Sequence, residues 1–269
     1  MPGVLRSLDR DAIRAEYRAA KPFPFFKIDN FLEPDFLAEV IAAYPTYESA
    51  RSMGREFSAV NEKLKIQVTD SAQFPLPVKR LADELNGSAF LADMEYITGI
   101  PNLLADPAFG GGGMHLSSNS GRLDVHVDFN FLDRMQTFRR LNILVYLNPV
   151  WEDAWGGRIE LWDKEVTHCE HSFAPILNRC VVFETSEISY HGVTPIACPP
   201  GFVRKSFAAY YYTKEAPDWW DGQRHSTVFK ARPGEKFRGA VLMPAEHVKR
   251  NIDTHMGKAK GFVKRLLGR

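Results

Sequence analysis

Two textures of hydrophobic and polar positions divide the chain. In the first hundred residues apolar positions recur at helical spacing in LEPDFLAEVIAAYP, with Pro34 near its start and Pro45 past its end, in LPVKRLADEL, and in SAFLADMEYITG, stopped by Gly99 and Pro101. Ahead of them PFPFFKIDNF predicts a strand. From about Leu103 to Thr213 the runs shorten and become β-rich or alternating: LDVHVD, LNILVYL, GRIELWD, RCVVFE, ISYHGV and RKSFAAYYYT. Turn signals separate them at Asn148-Pro149, Gly156-Gly157, Ala174-Pro175 and Cys198-Pro199-Pro200-Gly201. Many short strands at this spacing predict a sandwich or jelly roll rather than a Rossmann sheet. The fold class expected is mostly β with helical support, an α+β chain. The glycine run FGGGGMH lacks the Gly-Lys-Ser/Thr ending and following helix of a phosphate loop, and reads as a turn feeding a strand.

No internal repeat or low-complexity linker interrupts the chain, so one domain is expected: residues 1–102 as an amino-terminal strand and helical support, 103–215 as the core, and 216–269 as a carboxy-terminal extension with a basic helix. With 269 residues, 45% of them hydrophobic, the core needs no staples. A formal net charge of +1, with both signs mixed throughout, makes no global field for nucleic acid or an anionic membrane. No run approaches the ~18 apolar residues of a membrane span, and the start lacks a signal peptide's apolar core, so a soluble, unexported protein is expected. Cys169, Cys180 and Cys198 are odd in number and lack Cys-x-x-Cys spacing, which argues against a disulfide framework and for a reducing, cytoplasmic setting. The basic tail PAEHVKRNIDTHMGKAKGFVKRLLGR reads as a solvated helix docked by Phe262, Val263 and Leu266 in preference to a membrane or partner surface. Oligomeric state leaves no signal in the sequence.

The candidate chemistry begins at LDVHVDFN, residues 123–130. Strand alternation puts Leu123, Val125 and Val127 on one face and Asp124, His126 and Asp128 on the other. His-x-Asp is a weak pattern in a chain with 8 histidines. A third ligand, His191 in SYHGVTPI, would complete two histidines and a carboxylate on one face of an octahedral metal, the triad of non-haem iron(II) oxygenases; manganese and zinc are not excluded. In RKSFAAYYY, Arg204 and Ser206 point the same way, a pair suited to gripping a carboxylate, while Lys205 points oppositely. In RRLNILVYLN, Asn142 and Tyr146 share a face distinct from Leu141, Ile143 and Val145, and Tyr146 offers a second donor to an acidic cosubstrate. His168, Cys169 and His171 are spaced for opposite strand faces and read as surface residues rather than a metal cluster. His115 stands before the first core strand, positioned either to approach the site or to pack; Trp219 and Trp220 follow the last strand and cover either site or core.

Taken together, HVDF at 126–129, RRLNILVYLNPVW at 139–151, GGRIELWD at 156–163, NRCVVFETSEISYHGVTPI at 178–196 and RKSFAAYYYT at 204–213 resemble the iron(II)- and 2-oxoglutarate-dependent dioxygenases, in particular the bacterial branch similar to prolyl 4-hydroxylases. The opening PFPFFKIDNFLEPDFLAEV also looks like that family's first strand and helix. The resemblance implies a double-stranded β-helix core and iron(II) held by His126, Asp128 and His191. It also implies 2-oxoglutarate anchored by Arg204 with Ser206, Tyr146 and Asn142 in support, O2 as oxidant and ascorbate as an optional accessory. The implied reaction hydroxylates an unactivated C–H bond of a prolyl residue or a small molecule, releasing succinate and CO2. Arg204 comes thirteen residues after His191, a longer interval than the roughly ten residues the resemblance implies, and Lys205 stands as the alternative anchor. Two other classes compete: a cupin-like metal enzyme without 2-oxoglutarate, which would leave Arg204 and Ser206 without a task, and a non-catalytic jelly-roll binding module, which would have no use for an ionisable trio.

Overall fold

The structure, a computed structural model, describes residues 3–235. The amino-terminal part contains α1 (Arg10–Ala19), β1 (Phe25–Asp29), α2 (Pro34–Ala43), α3 (Tyr47–Met53), the hairpin β2 (Arg55–Ser58) and β3 (Glu62–Val68), α4 (Leu76–Leu85) and α5 (Ser88–Thr98). The helix ends follow the sequence signals. Pro34 starts α2, Asp9 caps α1 by accepting from the Ala12 N–H, and α5 stops at Gly99, whose φ of 76° is left-handed. The strands that follow are β4 (Leu104–Ala105), β5 (Gly113–Val127), β6 (Phe131–Leu132), β7 (Thr137–Tyr146), β8 (Ile159–Trp162), β9 (Cys169–Phe173), β10 (Arg179–Glu184), β11 (His191–Val193), β12 (Arg204–Thr213) and β13 (Val228–Phe229). The glycine run ends in the turn that starts β5.

Every pairing is antiparallel, in the order β1-β10-β7-β12-β5-β11-β8-β9. The long β5 joins two layers: its first half pairs with β12 and its second half with β11. The sheet curls there into a jelly roll. Side-chain parity then sorts the residues. Leu141, Ile143 and Val145 of β7, Cys180 and Val182 of β10, and Phe207, Ala209 and Tyr211 of β12 pack under the helices against Phe36, Val40, Leu81, Leu85, Phe90 and Met94. Each fully buried aliphatic or aromatic side chain here contributes about 1.5–3 kcal/mol, so the helical layer fixes the back of the sheet. The alternate residues, Asn142, Leu144, Arg204 and Ser206 among them, face the interior of the roll.

Two bulges change the parity read from the sequence. His191 lies opposite His126, yet Val193 lies opposite Leu123, two steps on β11 against three on β5. Leu123 consequently lines the interior beside His126, whereas Asp124 turns away into ion pairs with Arg122 and Arg232; the expected grouping of Asp124 with His126 and Asp128 is corrected. On β7, Leu141 faces Tyr211 and Arg139 faces Tyr212, so Arg140 is the extra residue and Arg139 shares a face with Asn142. The β2–β3 hairpin, absent from the sequence expectation, pairs along β5 through Glu62–Val68 and roofs the roll. No helix among the described residues is long and apolar enough to cross a membrane. The basic helix expected near the carboxy terminus lies outside the described residues.

Candidate active site

Between the two layers lies a cavity of ≈ 440 Å³. His126 near the end of β5, Asp128 just beyond it and His191 at the start of β11 enter it together, each offering one ligand atom within 4.8 Å of the others. The pairing of His191 with His126 sets their rings 4.3 Å apart. Each imidazole is held by its own backbone: His126 Nδ1 lies 2.8 Å from the Asp124 carbonyl and His191 Nδ1 lies 2.9 Å from the Ser189 carbonyl. With Nδ1–H donating there, both Nε2 lone pairs point inward, His126 Nε2 3.6 Å and His191 Nε2 3.4 Å from the two oxygens of Asp128. Burial, then the neighbouring His126, brings the pKa of His191 down to about 3, so the ring is neutral and free to donate a lone pair. Burial pushes the Asp128 carboxyl up, but the Arg139 guanidinium and the two imidazoles outweigh it and hold the group well below the usual carboxylate range. Two imidazoles and a carboxylate converging on one point fit a divalent metal of the iron(II) class.

Arg139 reaches the site through the bulge at Arg140, which leaves no trace in the sequence. Its guanidinium is sandwiched between the rings of Phe129 (4.6 Å) and Tyr210 (3.7 Å), donates to Asn142 Oδ1 from Nε and Nη2, and stands 3.0 Å from Asp128 Oδ2. Asn142 Nδ2 donates to the same Oδ2 at 2.7 Å. Both ends of the Asn142 amide are therefore engaged, and Asn142, which lines the cavity, braces Asp128.

Arg204 is 5% exposed and among the described residues has no carboxylate partner. Its Nε donates to the Gly157 carbonyl at 2.7 Å, and its guanidinium stands 5.0 Å from the centre of the Tyr146 ring. Gly157 has a left-handed φ of 66°, and a Cβ there would lie 3.0 Å from the Arg204 stem, so only glycine leaves this passage open. Ser206 follows on the same face, its Oγ buried without a hydrogen-bond partner. The Tyr146 phenol is pushed up to about 12 by burial, against the pull of Arg204, and stays protonated as a donor. Lys205 points the other way, toward the ring of Tyr44. A buried cation without a counter-ion, beside an unpartnered hydroxyl, fits an incoming carboxylate.

His115, opposite Ser206 on β5, lines the same cavity, with Nε2 3.1 Å from the Gly111 carbonyl and 3.0 Å from Gln67 Nε2. Burial holds its pKa well below the ordinary value. The other tempting residues lie elsewhere. His168 and Cys169 are exposed, His171 stacks on Phe173, and Trp220 packs on Phe138.

Comparison with known proteins adds a likeness in sequence and in fold. Residues 113–212, from the first residue of β5 almost to the end of β12, match the family model described as the 2OG-Fe(II) oxygenase superfamily. Over this stretch the chain is similar to the 2OG-Fe(II) oxygenases. The β roll and its helical layer resemble several solved structures. One is a Trichoplax adhaerens prolyl hydroxylase in complex with a hypoxia inducible factor peptide fragment, at 17% identity and a TM-score of 0.54, covering 76% of this chain and 90% of that one. Another is a prolyl 4-hydroxylase from Phytophthora capsici, at 14% identity and a TM-score of 0.54, covering 98% and 97%. A third is the carbocyclase SnoK from nogalamycin biosynthesis, at 11% identity and a TM-score of 0.53, covering 90% and 95%. At these identities the likeness is one of fold. No curated protein matches the chain in sequence.

Proposed function

We propose that His126, Asp128 and His191 hold iron(II) in this oxygenase core, and that Arg204, supported by Ser206 and Tyr146, binds the distal carboxylate of 2-oxoglutarate. The observation that carries the reading is the pairing of two features in one cavity: a converging His-Asp-His set and a buried arginine with no acid of its own. Bound there, iron and 2-oxoglutarate supply the oxidation of an unactivated C–H bond by O2, with release of succinate and CO2. The chain's own residues position and shield. Backbone carbonyls fix the ring planes of both histidines, Arg139 and Asn142 keep Asp128 ionised and aimed, and Arg204 orients the cosubstrate while compensating its charge on burial. Leu144, Ile159, Phe183, Val193 and Ile196 make the dry walls.

The substrate is a small molecule or a peptidyl residue. The similar fold of a prolyl hydroxylase seen with a peptide and of SnoK supports both classes equally. The test is succinate release from 2-oxoglutarate in the presence of iron(II) and O2, with prolyl peptides, amino acids and other metabolites screened for a gain of one oxygen from labelled O2. Iron-dependent succinate formation with one labelled oxygen in the product is the expected result. Substrate oxidation without 2-oxoglutarate consumption would replace this reading with the cupin-like one.

The bracing of Asp128 gives a second expected outcome. Asn142→Ala removes the amide hydrogen bond to Oδ2 and leaves the Arg139 ion pair, so iron affinity measured by chelator competition should fall about 10- to 100-fold. Unchanged affinity would show that Arg139 alone suffices.

A further inference from the structure

The cavity walls beyond the iron and 2-oxoglutarate positions narrow the choice of substrate; the step rests on the reading above. We infer that the substrate is a compact small molecule bearing an acidic group, carboxylate or phosphate, which Arg55 of the roof hairpin grips.

Size and enclosure come first. A volume of ≈ 440 Å³, part of it reserved for the cosubstrate, lies near the lower end of small-molecule pockets. Two segments that line the cavity, β3 and β13, are both tied to the strand that carries His126. β3 pairs with β5 from Met114 to Leu123, and β13 pairs with it at His126 and Val127. Both ladders contribute to the cavity wall, through Lys65 and Gln67 on one side and Phe229 on the other, an enclosure that suits a compact ligand.

Charge comes second. Five cationic side chains border the cavity: Arg55, Lys65, Arg122, Arg139 and Arg204. Four have assignments, Arg204 to the cosubstrate, Arg139 to Asp128, Arg122 to Asp124 and Glu235, and Lys65 to Glu62 at 2.8 Å. Arg55 is exposed and makes no ion pair among the described residues. Its guanidinium rests 4.7 Å from the centre of the Phe57 ring, the Lys65 ammonium lies 5.6 Å from the same ring, and Gln67 stands opposite Arg55 in the ladder. Hairpin parity sends Ile66 and Val68 into the core and leaves Arg55, Phe57, Lys65 and Gln67 on the cavity side. A planar guanidinium backed by an aromatic ring is pre-organised for a two-pronged grip on a carboxylate or phosphate. Phe129 and Phe229 add apolar lining nearer the triad, with Phe229 5.3 Å from the His126 ring, and suit the body of such an acid.

The test titrates zinc- and 2-oxoglutarate-loaded protein by calorimetry with phenylacetate, phenyl phosphate, neutral phenylacetamide and an end-capped prolyl peptide. The acids should bind at least about tenfold more tightly than the amide and the peptide, the increment of one charge-assisted hydrogen bond. Arg55→Gln should erase that preference and Arg55→Lys should keep part of it, both with wild-type unfolding temperatures because the side chain is exposed. The stronger of the two acids identifies the group as carboxylate or phosphate. Amide or peptide binding as tight as the acids, or an acid preference that survives Arg55→Gln, would overturn the inference. Failure of 2-oxoglutarate itself to bind marks failure of the underlying reading instead, and the same titrations still report on Arg55.

Discussion

Replacing His191 with alanine should abolish iron-dependent succinate formation and lower iron affinity by well over a hundredfold. Loss of a neighbour that merely orients a ligand costs about 10- to 100-fold in affinity, and loss of a ligand costs more. The same outcome is expected for His126→Ala and Asp128→Ala, by different routes. The histidine changes remove a nitrogen ligand. The Asp128 change removes the carboxylate of the set and strands Arg139, a cation 2% exposed, so this variant should also be destabilised by about 3–5 kcal/mol. Chelator competition and thermal unfolding separate the two effects. Full turnover in any of the three variants with one iron bound per chain would remove that residue from the ligand set.

Arg204→Ala should raise the KM for 2-oxoglutarate by about 30-fold to several thousandfold while iron affinity stays near the parent value. The range corresponds to the 2–5 kcal/mol lost on truncating one member of a buried charge pair. Lys205→Ala is the control: its side chain lies on the other face of β12, beside Tyr44, and its KM should not move. The opposite pattern would mean that β12 presents its alternate face to the cosubstrate.

Much of this architecture is legible in the sequence because its signals are strong and local. The strand Arg204–Thr213 and the helices Leu76–Leu85 and Ser88–Thr98 fall where alternation, caps and helix-stopping glycine put them. Strand parity by itself separates Arg204 from Lys205 and Asn142 from Ile143. Parity fails where a strand carries an extra residue. Nothing in LDVHVD or TFRRLNILVY marks the bulges, so Asp124 reads as facing the site when it turns away, and Arg139 reads as outside it when it holds Asp128. The roof hairpin is legible only in the short alternation Lys65-Ile66-Gln67-Val68. That run is interrupted at Leu64, which adopts a left-handed φ of 53° where the register shifts, and the pattern is too brief to stand out beside the helical stretches. The first helix carries its Asp9 cap but buries only Tyr17, so its apolar signal is faint.

The central claim is that one cavity binds iron(II) through His126, Asp128 and His191 and 2-oxoglutarate through Arg204. The most direct measurement is the visible absorption of the protein titrated anaerobically, first with iron(II) and then with 2-oxoglutarate. The account predicts a weak charge-transfer band that appears only when both are present, saturates at one equivalent of each, is lost with His191→Ala, and needs far more 2-oxoglutarate in Arg204→Ala. A protein that binds one iron but develops no band at saturating 2-oxoglutarate would contradict it.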